Sequence, residues 1–215
     1  GLCAAIKLKQ AGEHNFVVLE RNAHLGGTWY DNHYPGAACD VESHLYSFSF
    51  EPKADWSRNF GPQQEIWGYM THCARKYGLY PHFQFETVVN GATFNEQSGK
   101  WTINTSKGDY TATVFVSCSG GLSQPAMPDI KGLQDFKGKL FHSARWDHSY
   151  DLKDKTVAVI GTGASAIQIV PTIAPTVKQL FLYQRTPAWI LPKPDRAMKG
   201  FEKKMFATMP FMQRL

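Results

Sequence analysis

Apolar positions along this chain switch between a helical period and a strand period, and the switches lay out its elements. Residues 1–11 read as a helix stopped by Gly12. Residues 16–20, Phe-Val-Val-Leu-Glu, follow as a short β-branched and aromatic run that ends in an acid, as a buried parallel strand does. Between Gln63 and Tyr77 the residues Ile66, Tyr69, Met70, Cys73 and Tyr77 recur at helical spacing, with Gly78 as a stop, and predict a core-facing helix. Alternation then takes over in residues 85–89, 100–104 and 110–116, broken by Ser98-Gly99 and Lys107-Gly108, which predicts an antiparallel meander. Strand 156–160, a glycine turn over 161–166, a helix beginning at 167–173 and strand 179–183 form a second βαβ run, and the Met- and Phe-rich end reads as mid-helix.

The fold class this implies is α/β, with two Rossmann-like dinucleotide-binding domains, both incomplete, and a small antiparallel meander. In such a unit the third glycine of G-x-G-x-x-G opens the helix, and an acid roughly 20 residues onward binds a ribose hydroxyl. Gly1 and Glu20 fit those positions, with the first strand and its glycines expected before Gly1. Gly161, Gly163 and Ala166 fit the G-x-G-x-x-A form, in which the glycines permit the tight turn and the approach of backbone to a pyrophosphate. Where an NAD-binding unit carries an acid, this chain has Gln184-Arg185-Thr186, and an arginine there pairs with the 2′-phosphate of NADPH. Glu20 suits the unphosphorylated ribose of FAD. The plainer alternatives are a glycine turn that serves only helix packing and a solvated arginine at a strand end. Residues 1–147 are read as the FAD-binding part with an interdomain linker, and residues 148–215 as the start of the NADPH-binding part.

Composition narrows the function without choosing it. A hydrophobic content of 43% supports a real core, and the net charge of +5 is scattered, so no nucleic-acid stripe is indicated. Cys3, Cys39, Cys73 and Cys118 form no C-x-x-C pair, the histidines lack ligand spacing, and no apolar run spans a bilayer. The expectation is a metal-free, cytoplasmic protein with no membrane or nucleic-acid partner. Both ends look cut.

Phe136, Gly138, His142, Trp146 and Asp147 stand in the spacing F-x-G-x-x-x-H-x-x-x-W-D. Upstream come Gly26-Gly27-Thr28-Trp29-Tyr30, then Tyr34-Pro35-Gly36 and Cys39-Asp40. Together with the turn at Gly161 these resemble the motifs of flavin-dependent Baeyer–Villiger monooxygenases, which turn ketones into esters or lactones with NADPH and O2. The resemblance implies that Gly1, Glu20, Gly27, Thr28, Trp29, Asp40, Tyr46 and Val88 meet FAD, Val88 through its backbone. It implies that Gly161, Thr162, Gly163, Ala164, Ser165, Gln168, Arg185 and Thr186 meet NADPH. Asp40 would orient a catalytic arginine that the family places beyond Leu215, past a helical insertion. Trp29 and Tyr30 would wall the ring from water. His142 lies in the linker that couples domain motion to catalysis, where it would donate to backbone; the alternative for Phe136, His142 and Trp146 is interdomain packing. The implied chemistry is attack of a C4a-peroxyflavin on a ketone. Gly121 departs from relatives that carry a polar side chain in the linker. Competing readings are an N- or S-oxygenating flavin monooxygenase, against which the W-D ending argues, and an inactive nucleotide-binding remnant. The 215 residues alone are expected to lack activity.

Overall fold

The structure, a computed structural model, describes residues 1–122 and 124–214; Leu215, where the second sequence-predicted domain ends, lies outside them. In chain order the elements are α1 (Leu2–Gln10), β1 (Val18–Leu19), α2 (Thr28–Asp31), β2 (Ala38–Glu42), β3 (Phe60–Pro62), α3 (Gln63–Lys76), β4 (Phe83–Gln84), β5 (Val89–Asn95), β6 (Lys100–Thr105), β7 (Gly108–Ala112), β8 (Thr156–Ile160), α4 (Ala164–Ile173), β9 (Gln179–Tyr183) and α5 (Gly200–Thr208). They fall into two compact units, one of Gly1–Tyr30 with Trp67–Ser123 and the other of Asp31–Ile66 with Gln124–Leu215.

In the first unit α1 buries Leu2, Ala5 and Ile6, one face of a 3.6-residue period. The later turns of α3 bury Tyr69, Cys73 and Ala74, and Leu79 just beyond the helix is wholly enclosed. Side chains of the size of Ile6 and Leu79 each stabilise the fold by about 1.5–3 kcal/mol when removed from water. β1 pairs in parallel with β4 over two residues, so the strand expected at 16–20 is shorter than its apolar run. Phe16 leaves the ladder and stacks on His82 instead, with ring centroids 4.2 Å apart.

The meander is present as β5-β6-β7, antiparallel throughout, but its outer strands are displaced from the expected 85–89 and 110–116. Glu86 takes a left-handed φ of 56° and ends any extended run there. Thr87 is buried and its hydroxyl donates to the Phe85 carbonyl, so 85–88 is a turn leading into β5. At the other side β6 is consumed by its register with β7, from Thr105 opposite Gly108 to Trp101 opposite Ala112. The pairing stops at Ala112, and Val114 and Val116 lie exposed.

In the second unit β8 and β9 run parallel in the register Thr156↔Gln179 to Ile160↔Tyr183, the strands expected from sequence. α4 begins at Ala164, earlier than the expected 167, because Gly163 serves as its N-cap; it buries Ile169 and Ile173 and runs through Pro171, which has no N–H to give the ladder, to Ile173. β2 and β3 form an antiparallel pair. Residues 193–198 are stitched alongside residues 57–60, with Asn59 N–H donating to Arg196 O (2.9 Å) and Met198 N–H to Ser57 O (2.9 Å). α5 opens with Glu202 accepting from the Lys199 N–H (2.7 Å) and from both Arg196 terminal nitrogens, which hold its carboxyl down at about 2. The helix ends at Thr208, short of the mid-helix reading of the terminus, and Pro210 opens a 3₁₀ turn through Arg214.

Candidate functional site

The second unit brings together most of the residues expected at a nucleotide. Gly161 has a φ of 106° and Gly163 caps α4 in extended backbone, and no heavy atom lies within 4 Å of where a side chain would stand on either. The turn is therefore an open cradle of backbone, and no side chain caps α4, whose first N–H groups are left for an anionic partner. Thr162 fastens this turn to the next strand: it accepts from Gln184 Nε2 (3.2 Å) and donates to Thr186 O (3.5 Å). Arg185, between those two partners, is exposed. Ala164, Ser165 and Gln168 follow on α4, so the fit to a dinucleotide pyrophosphate is good.

Gln168 does more than the sequence reading assigned to it. Its Oε1 accepts from Tyr34 OH (3.1 Å) and Ala38 N–H (3.2 Å), while Nε2 donates to Ala38 O (2.9 Å) and lies 3.4 Å from Asp40 Oδ1. A glutamine amide that spans a backbone amide in both directions works as an extra strand partner. The Tyr34-Pro35-Gly36 turn thus rides on α4, and a side chain on Gly36 would stand 2.4 Å from Thr172 Oγ1 and 2.7 Å from Gln168 O. This fixes Cys39 and Asp40. Cys39 is buried, its thiol pushed up by desolvation, whereas Asp40 is exposed.

Asp40 also meets a residue that sequence reasoning missed. Lys193 Nζ donates to Cys39 O (2.6 Å) and pairs with Asp40 Oδ1 (3.1 Å). The only available signal was a lysine soon after Gln184-Arg185-Thr186, which has no recognisable spacing to Asp40. Likewise unforeseen, His33 Nδ1 and His148 Nε2 lie 2.8 Å apart. Tyr46 closes the 3₁₀ turn Ser43–Leu45, its N–H donating to Ser43 O (3.0 Å).

The fingerprint of residues 136–147 has its own local logic. The Phe136 ring lies where a side chain on Gly138 would go, 2.5 Å from that position, so F-x-G spacing lets the ring fold back on its own backbone. Phe141 and Trp146 meet edge to face at 5.1 Å. His142 was expected to donate to backbone, and the bond runs the other way: its Nδ1 accepts from Ala144 N–H (3.0 Å), capping the turn Ser143–Arg145. The bond requires an unprotonated Nδ1. Asp147 accepts from Ser149 and pairs with Lys139 Nζ (2.6 Å), which together hold its carboxyl at about 2. Since the folded value lies below the unfolded one of roughly 3.9, the stabilisation is complete above pH ~4 and is lost as pH falls through the folded value. A carboxyl-carbon NMR titration is expected to show Asp147 ionised after most aspartates have protonated, and Lys139→Met to raise it toward the ordinary range, with the Ser149 bonds still holding it below.

The first unit carries the other expected residues. Glu20 directly follows β1, with one carboxylate oxygen accepting from Asn22 N–H (2.9 Å). Gly27 and Thr28 are exposed at the start of α2, nothing lies within 4 Å of a side chain placed on Gly27, and Trp29 is half-buried. Tyr30 packs against His24 and Trp67, whose Nε1 is tied to Leu25 O (2.8 Å). Gly1 precedes α1 as its N-cap. Val88 differs from the simple expectation: its N–H already donates to Ser106 Oγ (3.0 Å) and its carbonyl accepts from Ser106 N–H (2.9 Å), so an adenine would meet the carbonyl's second lone pair or displace the hydroxyl. Gly121 has nothing within 4 Å of a side-chain position. Among the described residues no cluster of metal-binding side chains occurs and no helix is long and apolar enough to cross a membrane.

The profile of the flavin-binding monooxygenase-like family matches residues 5–215. A Baeyer–Villiger monooxygenase of Streptomyces coelicolor is 53% identical over the whole chain, which spans 41% of that relative. Among solved structures, the OTEMO complex with FAD and NADP superposes with a TM-score of 0.89 at 35% identity, over 97% of this chain and 42% of its own. Cyclohexanone monooxygenase from Rhodococcus bound to NADP+ gives a TM-score of 0.91 at 34% identity, over 99% of this chain and 41% of its own.

Proposed function

Because this chain belongs to the flavin-binding monooxygenase-like family, we propose that the protein carrying it is a Baeyer–Villiger monooxygenase that uses FAD and NADPH to insert one atom of O2 beside a ketone carbonyl. The product is an ester or lactone. The observation that carries this reading is the clamp of the Tyr34–Asp40 stretch on α4 through Gln168. It ties an acid expected at the flavin to the helix that opens at the pyridine-nucleotide turn.

When bound, the flavin takes reducing equivalents from NADPH and activates O2. The residues present then have these tasks. Gly161, Gly163 and the first turn of α4 receive a pyrophosphate, and Arg185 with Thr186 receives the 2′-phosphate. Gly1 and Glu20 take the corresponding places at FAD, with Glu20 accepting from ribose. Gly27 and Thr28 offer open backbone to its phosphates, Trp29 and Tyr30 exclude water, and Tyr46 and Val88 line the cofactor. Asp40 orients a cationic side chain that stabilises negative charge on the way to product. His142 acts on the linker by capping its turn rather than on substrate. Residues 1–147 are the Rossmann-like FAD part with its linker and residues 148–215 the Rossmann-like NADPH part. The four free cysteines suit the cytoplasm.

The test uses the full-length protein with panels of ketones, amines and sulfides. Ketones are expected to accelerate NADPH oxidation and to yield esters or lactones. Acceleration by amines or sulfides with no product from any ketone would replace this reading by N- or S-oxygenation.

A further inference from the structure

We propose that Lys193 is a positioning residue for Asp40, an inference that rests on the monooxygenase reading above. Asp40 is an exposed aspartate whose side chain would sample several rotamers if left alone. Lys193 prevents this. Its ammonium splits between the Cys39 carbonyl (2.6 Å) and Asp40 Oδ1 (3.1 Å), so it fixes the backbone just before the acid and one oxygen of the acid together. Gln168 Nε2 approaches that same oxygen at 3.4 Å from α4. Among the described residues no partner meets Oδ2, which is therefore the oxygen presented to an incoming cation.

The lysine is itself well placed to hold a position. Its ammonium lies 4.7 Å from the centroid of the buried Phe60 ring. The residues that follow it are pinned, Pro194 O by Asn59 Nδ2 (3.3 Å) and Asp195 by Arg58 (2.8 Å) and by Phe60 N–H (3.3 Å). Lys193 lies in the same exposed stretch, residues 181–197, as Arg185 and Thr186. It anchors the far end of the segment expected to select NADPH directly to the acid expected at the flavin, so loss of the contact disturbs hydride delivery more than nucleotide binding.

The experiment compares Lys193→Met and Lys193→Arg in the full-length protein, with labelling of Lys193 by an amine-acylating reagent in the unaltered and Asp40→Asn proteins. Lys193→Met is expected to slow reduction of FAD by NADPH about tenfold, below the roughly hundredfold cost of a full ångström's misplacement, with the NADPH Kd within about twofold. Lys193→Arg, which keeps the charge and two donors, is expected to restore most of that rate. Asp40→Asn is expected to raise acylation of Lys193 about twofold, with or without FAD, as release from a half-exposed ion pair does. Reduction of Lys193→Met at the unaltered rate, equal losses in the Met and Arg variants, or labelling indifferent to Asp40→Asn would each overturn the proposal. An unaltered protein inert to NADPH would overturn the monooxygenase reading and this role with it, whereas an active one with any of the three results above would overturn this role alone.

Discussion

Replacing Arg185 by alanine is expected to weaken NADPH binding about 10- to 100-fold while NADH binding changes by less than about twofold, the range set by losing one charge-assisted contact to a phosphate. The geometry isolates this residue for such a test. Arg185 stands exposed just beyond β9, and its neighbours on both sides are bonded to Thr162 of the glycine turn. The side chain can be removed without unfastening the turn, because the fastening uses Gln184 Nε2 and the Thr186 carbonyl. No acid occupies the position that would favour NADH. Calorimetric titration of the full-length protein with each nucleotide measures the effect. Equal weakening of both would mean that Arg185 supports the fold of the turn and does not read the 2′-phosphate.

Gly36→Ala is expected to be the most damaging single methyl in the second unit. Gly36 has a φ of 81°, and a side chain there would stand 2.4 Å from Thr172 Oγ1 and 2.7 Å from the Gln168 carbonyl. The left-handed backbone costs alanine about 1–2 kcal/mol and forced overpacking about 1–3 kcal/mol, so a loss of ~2–5 kcal/mol follows. The hydroxyl of Thr172 could rotate away. The carbonyl of Gln168 belongs to helix backbone and cannot, so the Tyr34-Pro35-Gly36 turn must lift from α4 and draw Ala38 away from the Gln168 amide. Gly121→Ala provides the contrast: its side-chain position is open and its change is expected to stay within about 0.5 kcal/mol. Thermal unfolding of both variants beside the parent measures the pair, and a Gly36→Ala midpoint equal to that of Gly121→Ala would contradict this account of the clamp.

Much of the fold was legible because its strongest signals are local. The strands at 156–160 and 179–183 appear at their expected bounds since each has a partner of matching length, and the glycine stop after residue 77 closes α3 within a residue. The displaced strands of the meander show where local reading ends. Apolar alternation at 85–89 and 113–116 is real, but strand length is set by what the partner β6 offers, and that is a property of the pairing and not of either segment. The candidate site divides in the same way. Gly161, Gly163 and Arg185 announce themselves through backbone freedom and charge at a strand end. The four-way role of Gln168 and the approach of Lys193 to Asp40 arise from contacts across long stretches of sequence, and neither residue type nor spacing signals them. The backbone bond of His142 was anticipated, but its direction depended on the turn that Ala144 makes.

The most direct measurement of the central claim is to supply the full-length protein with FAD, NADPH, a ketone and isotopically labelled O2, and to weigh the product by mass spectrometry. The account predicts an ester or lactone carrying one labelled oxygen, with the second labelled atom in water and one NADPH consumed per product. Consumption of NADPH with the ketone recovered unchanged and all labelled oxygen in hydrogen peroxide or water would contradict it.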